Sequence, residues 1–137
     1  PSQHCPMVVT PHAGEFTKLT GEVLPDDIPG RMELVRTQAK KLGVTICLKG
    51  QTDVVSDGTT TKLNRIHNAG MSVGGTGDVL TGIIGALLSK HVPPFEASRA
   101  GLFLNGAAGN EAFAKKSYGL LATDLVDEIP TVLRRYL

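Results

Sequence analysis

The stretch from Asn68 to Gly82, N-A-G-M-S-V-G-G-T-G-D-V-L-T-G, constrains this chain most, because its two halves follow different rules. The first half has no apolar period and carries four glycines, Gly70, Gly74, Gly75 and Gly77, which predicts a loop. From Val79 a helical period takes over, with Val79, Leu80, Ile83, Ile84, Leu87 and Leu88 on one stripe. The glycines therefore stand where a loop enters a helix. Such a junction exposes unpaired backbone N–H groups and the positive end of the helix dipole. Glycine lets that backbone approach a ligand closely, and phosphate is the usual ligand of a helix start. The pattern predicts an anion site.

A phosphate cradle alone has no use for Asp78, whose charge repels an anion. A helix start favours negative charge, so an ionised Asp78 suits a base that takes a proton from a hydroxyl attacking the phosphate. The alternative is that it merely stabilises the first helical turn. Two standard phosphate motifs are excluded. No lysine follows these glycines, as a P-loop requires, and Gly75-Thr76-Gly77 lacks the third glycine of the dinucleotide fingerprint.

Met7-Val8-Val9-Thr10, closed by Pro11, predicts a buried parallel strand, and Val44 to Leu48 predicts a second, ended by Lys49-Gly50. Ligands of α/β sheets gather beyond the carboxyl ends of strands, which puts the Thr10–Phe16 loop and Lys49 on one edge if the strands are parallel. His12 there either binds a ligand or hydrogen-bonds locally. Lys49 either meets a phosphate or is a solvated lysine. Glu15 is expected to start a short helix with Phe16 and Leu19 inward and Gly21 as its stop, and residues 21–30 to form a surface loop. A helix from Pro29 to Leu42 would bury Met32, Val35, Ala39 and Leu42, with Gly43 ending it.

Asp57-Gly58-Thr59-Thr60, between Val54–Ser56 and Lys62–Ile66, is a hairpin signal and adds antiparallel strands at one side of the sheet. The helix after the glycines should reach Lys90, before Pro93-Pro94. Phe95 to about Lys116 then predicts a long helix with a stripe of small residues (Ala97, Ala100, Gly101, Ala107, Ala108), for which Gly82, Gly85 and Ala86 would be the matching surface. Asn105 and Asn110 on this helix reach a ligand or are ordinary exposed asparagines. Thr123 is expected to cap a short last helix carrying Leu125, Val126 and Ile129, with Asp124 in its first turn and a final turn through Leu133 and Leu137.

Composition excludes several classes. A chain of 137 residues predicts one domain, and 41% hydrophobic with 20% charged residues is ordinary for a folded soluble protein. A net charge of +1 without a Lys/Arg run argues against a nucleic-acid surface. Cys5 and Cys47 are too far apart for a disulfide framework or a metal motif, so two reduced thiols in the cytosol are expected, with Cys47 a small core residue. No signal peptide or bilayer-spanning run is visible. The start at Pro1 rather than Met reads as a fragment.

Gly74-Gly75-Thr76-Gly77-Asp78-Val79-Leu80-Thr81-Gly82 resembles the G-x-G-D anion hole of the ribokinase-like superfamily, and its form with Thr resembles the ADP/ATP-dependent NAD(P)H-hydrate dehydratases. Three more segments match that branch in order: Thr10-Pro11-His12-Ala13-Gly14-Glu15, Leu48-Lys49-Gly50 and Ala122-Thr123-Asp124-Leu125. Gln51-Thr52-Asp53-Val54 departs from the pattern of many relatives. The match corresponds to the C-terminal half of the family's domain, so residues 1–137 are expected to be that part of a single domain. The implied fold is α/β: a ribokinase-like three-layer α/β/α arrangement with a mostly parallel sheet plus an antiparallel hairpin.

The implied activity is ADP- or ATP-driven loss of water from hydrated NADH or NADPH, releasing AMP and phosphate when ADP is used, with Mg2+ accompanying the nucleotide. In that resemblance Asp78 is the catalytic base and binds substrate with His12. Lys49, Gly50, Gln51, Thr52, Asp53, Gly75, Thr76 and Gly77 bind the nucleotide. A cytoplasmic homo-oligomer, tetramer included, is implied, with neither nucleic acid nor membrane as partner. Two other readings stay open. A vitamin-precursor kinase would share the aspartate and anion hole but is not expected to carry T-P-H-x-G-E; the other reading is a catalytically silent nucleotide-binding module, or a fragment folded only with a partner segment.

Overall fold

The computed structural model describes residues 5–136, so the expected turn at Leu137 lies outside the described residues. A short strand β1, Val8–Val9, pairs in parallel with β2, Thr45–Leu48. Two helices, α1 (Ala13–Thr20) and α2 (Ile28–Leu42), carry the chain from one to the other, the long connection that a parallel pair requires. Strands β3, Asp53–Ser56, and β4, Thr61–Asn64, then add antiparallel neighbours in the order β1-β2-β3-β4. The hairpin turn is built by Asp57, whose Oδ1 accepts from the amides of Thr59 and Thr60 at 2.8 and 2.7 Å. The parallel pair followed by the hairpin is the expected topology. The described sheet is mixed, with one parallel and two antiparallel pairings, because only one helical crossover occurs among these strands.

Alternation along β2 and β3 divides the interior in two. Ile46, Leu48 and Val54 point to one face, where Phe16, Val35 and Ala39 of α1 and α2 cover them. Cys47 and Val55 point to the other, against Leu80 and Ile84 of α3 (Thr76–Ser89) and Ala97 and Leu102 of α4 (Pro94–Lys116). The result is an α/β/α sandwich, each fully buried Leu, Ile, Val or Phe contributing about 1.5–3 kcal/mol. Burial pushes the Cys47 thiol up to about 12, which makes it the inert core residue expected. Helix α5, Ala122–Tyr136, packs on α4 away from the sheet, through Ala108, Ala112, Leu125 and Val132.

Several expectations are corrected. Met7–Thr10 is not a buried strand: only Val8–Val9 pairs, both half-buried, and Met7 is 56% exposed, because among the described residues β1 is paired on one side only. Leu19 and Leu42 lie at the last turns of their helices and are exposed rather than inward. Thr123 does not cap α5. The helix already includes Ala122, and the Asp124 carboxylate accepts from Leu121 N at 2.7 Å instead. The helix is also long, 15 residues, with exposed Pro130 inside it.

The small residues of α4 meet other partners than Gly82, Gly85 and Ala86, which are exposed. Gly101 receives Ile84, a Cβ at Gly106 would lie 2.3 Å from the Ile66 carbonyl oxygen, and one at Gly109 would lie 2.5 Å from Met71 Sδ. The stripe thus clasps the segment leading into α3 as well as α3 itself. Among the described residues no helix is long and apolar enough to cross a membrane.

Candidate functional site

Three chain segments converge beyond the carboxyl ends of β1 and β2. Lys49 N donates to Pro11 O at 2.8 Å, tying the exits of the two strands together. The turn after Lys49 is held by Asp53, whose Oδ1 accepts from Gly50 N at 3.0 Å and whose Oδ2 accepts from Asn64 Nδ2 at 2.9 Å. Burial pushes the Asp53 carboxyl above its usual value, and these two hydrogen bonds pull it part of the way back. Both Asp53 oxygens are therefore engaged in shaping the turn.

The third segment is the start of α3. Gly75 is its N-cap, at φ 95, where a side chain would be strained and a Cβ would lie 2.9 Å from Ala122 Cβ. The helix begins three residues earlier than its apolar period indicates, so Gly77 and Asp78 belong to its first turn. Thr76 Oγ1 donates to Met71 O at 3.0 Å and so fixes the loop. No side chain caps α3, and its first intrahelical bond is Val79 N to Gly75 O. The amides of Thr76, Gly77 and Asp78 are left by helix geometry without intrahelical partners.

Lys49 is aimed at this helix start. A Cβ built on Gly77 would lie 3.1 Å from Lys49 Nζ, and the lysine side chain is 29% exposed. An ammonium and the positive end of a helix dipole repel each other, and the arrangement becomes favourable when an anion sits between them. Glu15 Oε2, 4.0 Å from Nζ, supplies only a distant counter-charge.

His12 is the N-cap of α1. Its Nδ1 accepts from Glu15 N at 3.2 Å, while Glu15 Oε2 accepts from His12 N at 2.8 Å, a reciprocal capping box. The hydrogen bond from His12 holds the Glu15 carboxyl below its usual value. Of the two roles open to His12, local hydrogen bonding is realised, and the ring still faces a hollow.

Two hollows flank the junction. The smaller, about 330 Å³, is lined by His12, Gln51, Asp53, His67 and Asn105. The larger, about 600 Å³, is lined by Thr10, Glu15, Gly75, Asp78 and Thr81. Lys49, Thr76 and Gly77 belong to both. His12 and Asp78 thus stand at one junction but in different hollows, Gly50 lines the smaller one, and Thr52 is not among the lining residues of either. Two hollows that share a wall of Lys49, Thr76 and Gly77 have the layout that transfer of a group from a donor in one to an acceptor in the other requires.

His67 stayed unnoticed in the sequence because it follows β4 in a stretch without a motif. Asn105 shows only as a polar residue on an otherwise small-residue stripe. Among the described residues no cluster of three metal-ligating side chains occurs. A divalent ion here would arrive on nucleotide phosphates, as Mg2+ commonly does.

The family profile described as NAD(P)H-hydrate dehydratase matches residues 1–131. A bifunctional NAD(P)H-hydrate repair enzyme Nnr from Pyrobaculum aerophilum is 48% identical over 130 residues, 95% of this chain and 26% of that protein. An ADP-dependent (S)-NAD(P)H-hydrate dehydratase from Nitrosopumilus maritimus is 45% identical over 130 residues, 95% of this chain and 45% of that protein. The chain therefore spans less than half the length of these relatives. The ADP/ATP-dependent NAD(P)H-hydrate dehydratase of Bacillus subtilis, co-crystallised with ATP/Mg2+ and soaked with CoA, superposes with a TM-score of 0.89 at 34% identity, covering 100% of this chain and 52% of that one. The layered fold is ribokinase-like.

Proposed function

This chain belongs to the NAD(P)H-hydrate dehydratase family, and from that premise we propose that it supplies the phosphate-transfer half of an enzyme that removes water from hydrated NADH or NADPH at the expense of ADP or ATP. In this reading residues 1–137 are the C-terminal part of one dehydratase domain. The observation that carries it is the facing of Lys49 and the uncapped start of α3 across a space shared by two hollows. The names of the Nitrosopumilus and Bacillus proteins support the nucleotide and the hydrated substrate.

The donor nucleotide lies in the smaller hollow, its terminal phosphate at Lys49 and the amides of Thr76 and Gly77, with Gly50 and Gln51 beside it. Asp53 acts by holding the turn, and Thr52 by forming part of it. The hydrated nicotinamide ring lies in the larger hollow next to Asp78. Asp78 takes the proton from the ring hydroxyl as its oxygen attacks the terminal phosphorus, and AMP leaves when ADP is the donor. The backbone amides hold the phosphoryl oxygens on which charge develops. The ring nitrogen lone pair then expels phosphate, a proton is lost from the neighbouring ring carbon, and the dihydronicotinamide returns. The oxygen of the lost water leaves within the phosphate. For His12 the geometry favours the donor nucleotide over the hydrated ring, since it shares its hollow with Lys49 and Gln51 and not with Asp78. A divalent ion such as Mg2+ carried on the nucleotide phosphates would offset their charge beside Lys49. The enzyme acts in the cytoplasm, as a homo-oligomer, on a small-molecule substrate.

The test is to mix the whole protein with hydrated NADH and ADP or ATP and follow dihydronicotinamide absorbance. Recovery with AMP and phosphate formed one to one from ADP is expected. A stable phosphorylated alcohol as product would indicate a kinase instead, and no nucleotide-dependent change would overturn the assignment.

A further inference from the structure

Loss of water from the hydrated ring removes two protons, and Asp78 accounts for only one of them, the hydroxyl proton. The other leaves from carbon after the ring nitrogen has expelled phosphate. By then the carbon–oxygen bond is broken and the ring is a cation with a carbon–nitrogen double bond. A hydrogen on the adjacent carbon departs as a proton, its bonding pair becomes the ring double bond, and the nitrogen is neutral again. A carboxylate that already holds one proton cannot take another, so a second base is needed in the same hollow. Among the described residues lining the larger hollow, the titratable side chains are Glu15, Lys49 and Asp78. Lys49 is a cation without a lone pair to offer. Glu15 remains.

We propose that Glu15 is this second base, taking the carbon-bound proton once phosphate has left. The proposal rests on the larger hollow being the seat of the hydrated ring. The Glu15 side chain is 52% exposed and its two oxygens are placed differently. Oε2 accepts from His12 N at 2.8 Å, while Oε1 lies 3.4 Å from His12 Nε2. The hydrogen bond from His12 and, to a smaller extent, the Lys49 charge keep the carboxyl ionised. That makes Glu15 a weak base, but a hydrogen beside a carbon–nitrogen cation is acidic enough for a weak base to remove. Without the base the cation persists, and water adds back to it and remakes the hydrate after the nucleotide has been cleaved. Glu15 thereby ties nucleotide cleavage to recovery of the dihydronicotinamide.

The test follows AMP, phosphate and dihydronicotinamide absorbance together, with the whole protein, hydrated NADH and ADP. Glu15→Gln is the variant, because glutamine at this position still accepts from His12 N and keeps the α1 cap. The unaltered protein should form AMP and NADH one to one. In Glu15→Gln, recovery of NADH should slow by about 10²-fold, the low end for losing a general base, while AMP formation slows less. The ratio of AMP to NADH should therefore rise well above one. Deuterium at the carbon that loses the proton should raise it further, since breaking that bond now competes with addition of water. A ratio that stays at one in Glu15→Gln would overturn the proposal. If both rates then fall together, Glu15 acts through the cap alone. Failure of the unaltered protein to form AMP, phosphate and NADH would instead remove the reading of the larger hollow, and this proposal with it.

Discussion

Helices α2 and α3 have nearly the same length, 15 and 14 residues, and start in opposite ways. At α2, Asp27 accepts from Gly30 N at 2.7 Å, and Pro29 in the first turn removes another amide that would need a partner. At α3 the cap is Gly75, no side chain closes the turn, and a lysine faces it. Closing a helix start with its own side chain contributes about 0.5–2 kcal/mol. The chain takes that stabilisation at α2 and forgoes it at α3. The difference separates a start closed by its own side chain from one left open, as the proposed phosphate seat requires.

Replacing Asp78 with Asn should have the largest effect. Turnover should fall by about 10²–10⁴, the range for losing a general base, while nucleotide affinity holds or improves because a negative charge beside phosphate has gone. Near-normal turnover with a lowered melting temperature would make Asp78 a first-turn stabiliser and bring α3 closer to α2. Lys49→Met comes next. Losing a charge-assisted contact should weaken ADP binding by about 10–100-fold, read by calorimetry. An unchanged affinity would mean that the lysine is only solvated.

The hairpin and the second strand were legible because their turn chemistry and β-branched residues are local, and Gly21 and Gly43 stop α1 and α2 as expected. The junction of the glycine loop and α3 was legible too, since a glycine run meeting an apolar period marks a loop entering a helix. What the small-residue stripe of α4 touches was not. Spacing predicts a close neighbour along Ala97, Ala100, Gly101, Ala107 and Ala108, but the tightest approaches also fall at Gly106 and Gly109, where a loop carrying Ile66 and Met71 comes in. Nor could sequence show that His12 and Asp78 face different hollows or that the Asp53 oxygens are both engaged, because these depend on strands brought together from distant parts of the chain.

Smaller effects sharpen the contrast from the other side. Asp27→Ala should cost about 0.5–2 kcal/mol of stability, measured by denaturant unfolding, and leave ADP affinity unchanged. A change in ADP affinity would show that the two helix starts are not independent. The smallest effect concerns the α1 cap. Glu15 is held below its usual value, so its contribution is present above the ordinary glutamate range and is lost as pH falls through the lowered value. Melting temperatures of Glu15→Gln and the unaltered protein should therefore draw together in acid. Because Glu15 is exposed the gap at neutral pH should be small, and a gap that widens in acid would contradict the sign.

The most direct test compares the two starts in one experiment, following backbone amide resonances of the whole protein as ADP is added. The amides of Thr76, Gly77 and Asp78 should shift and become protected from solvent exchange, while Gly30 and its neighbours at the start of α2 stay unchanged. ADP binding that leaves the α3 amides where they were, or moves both helix starts alike, would contradict the account.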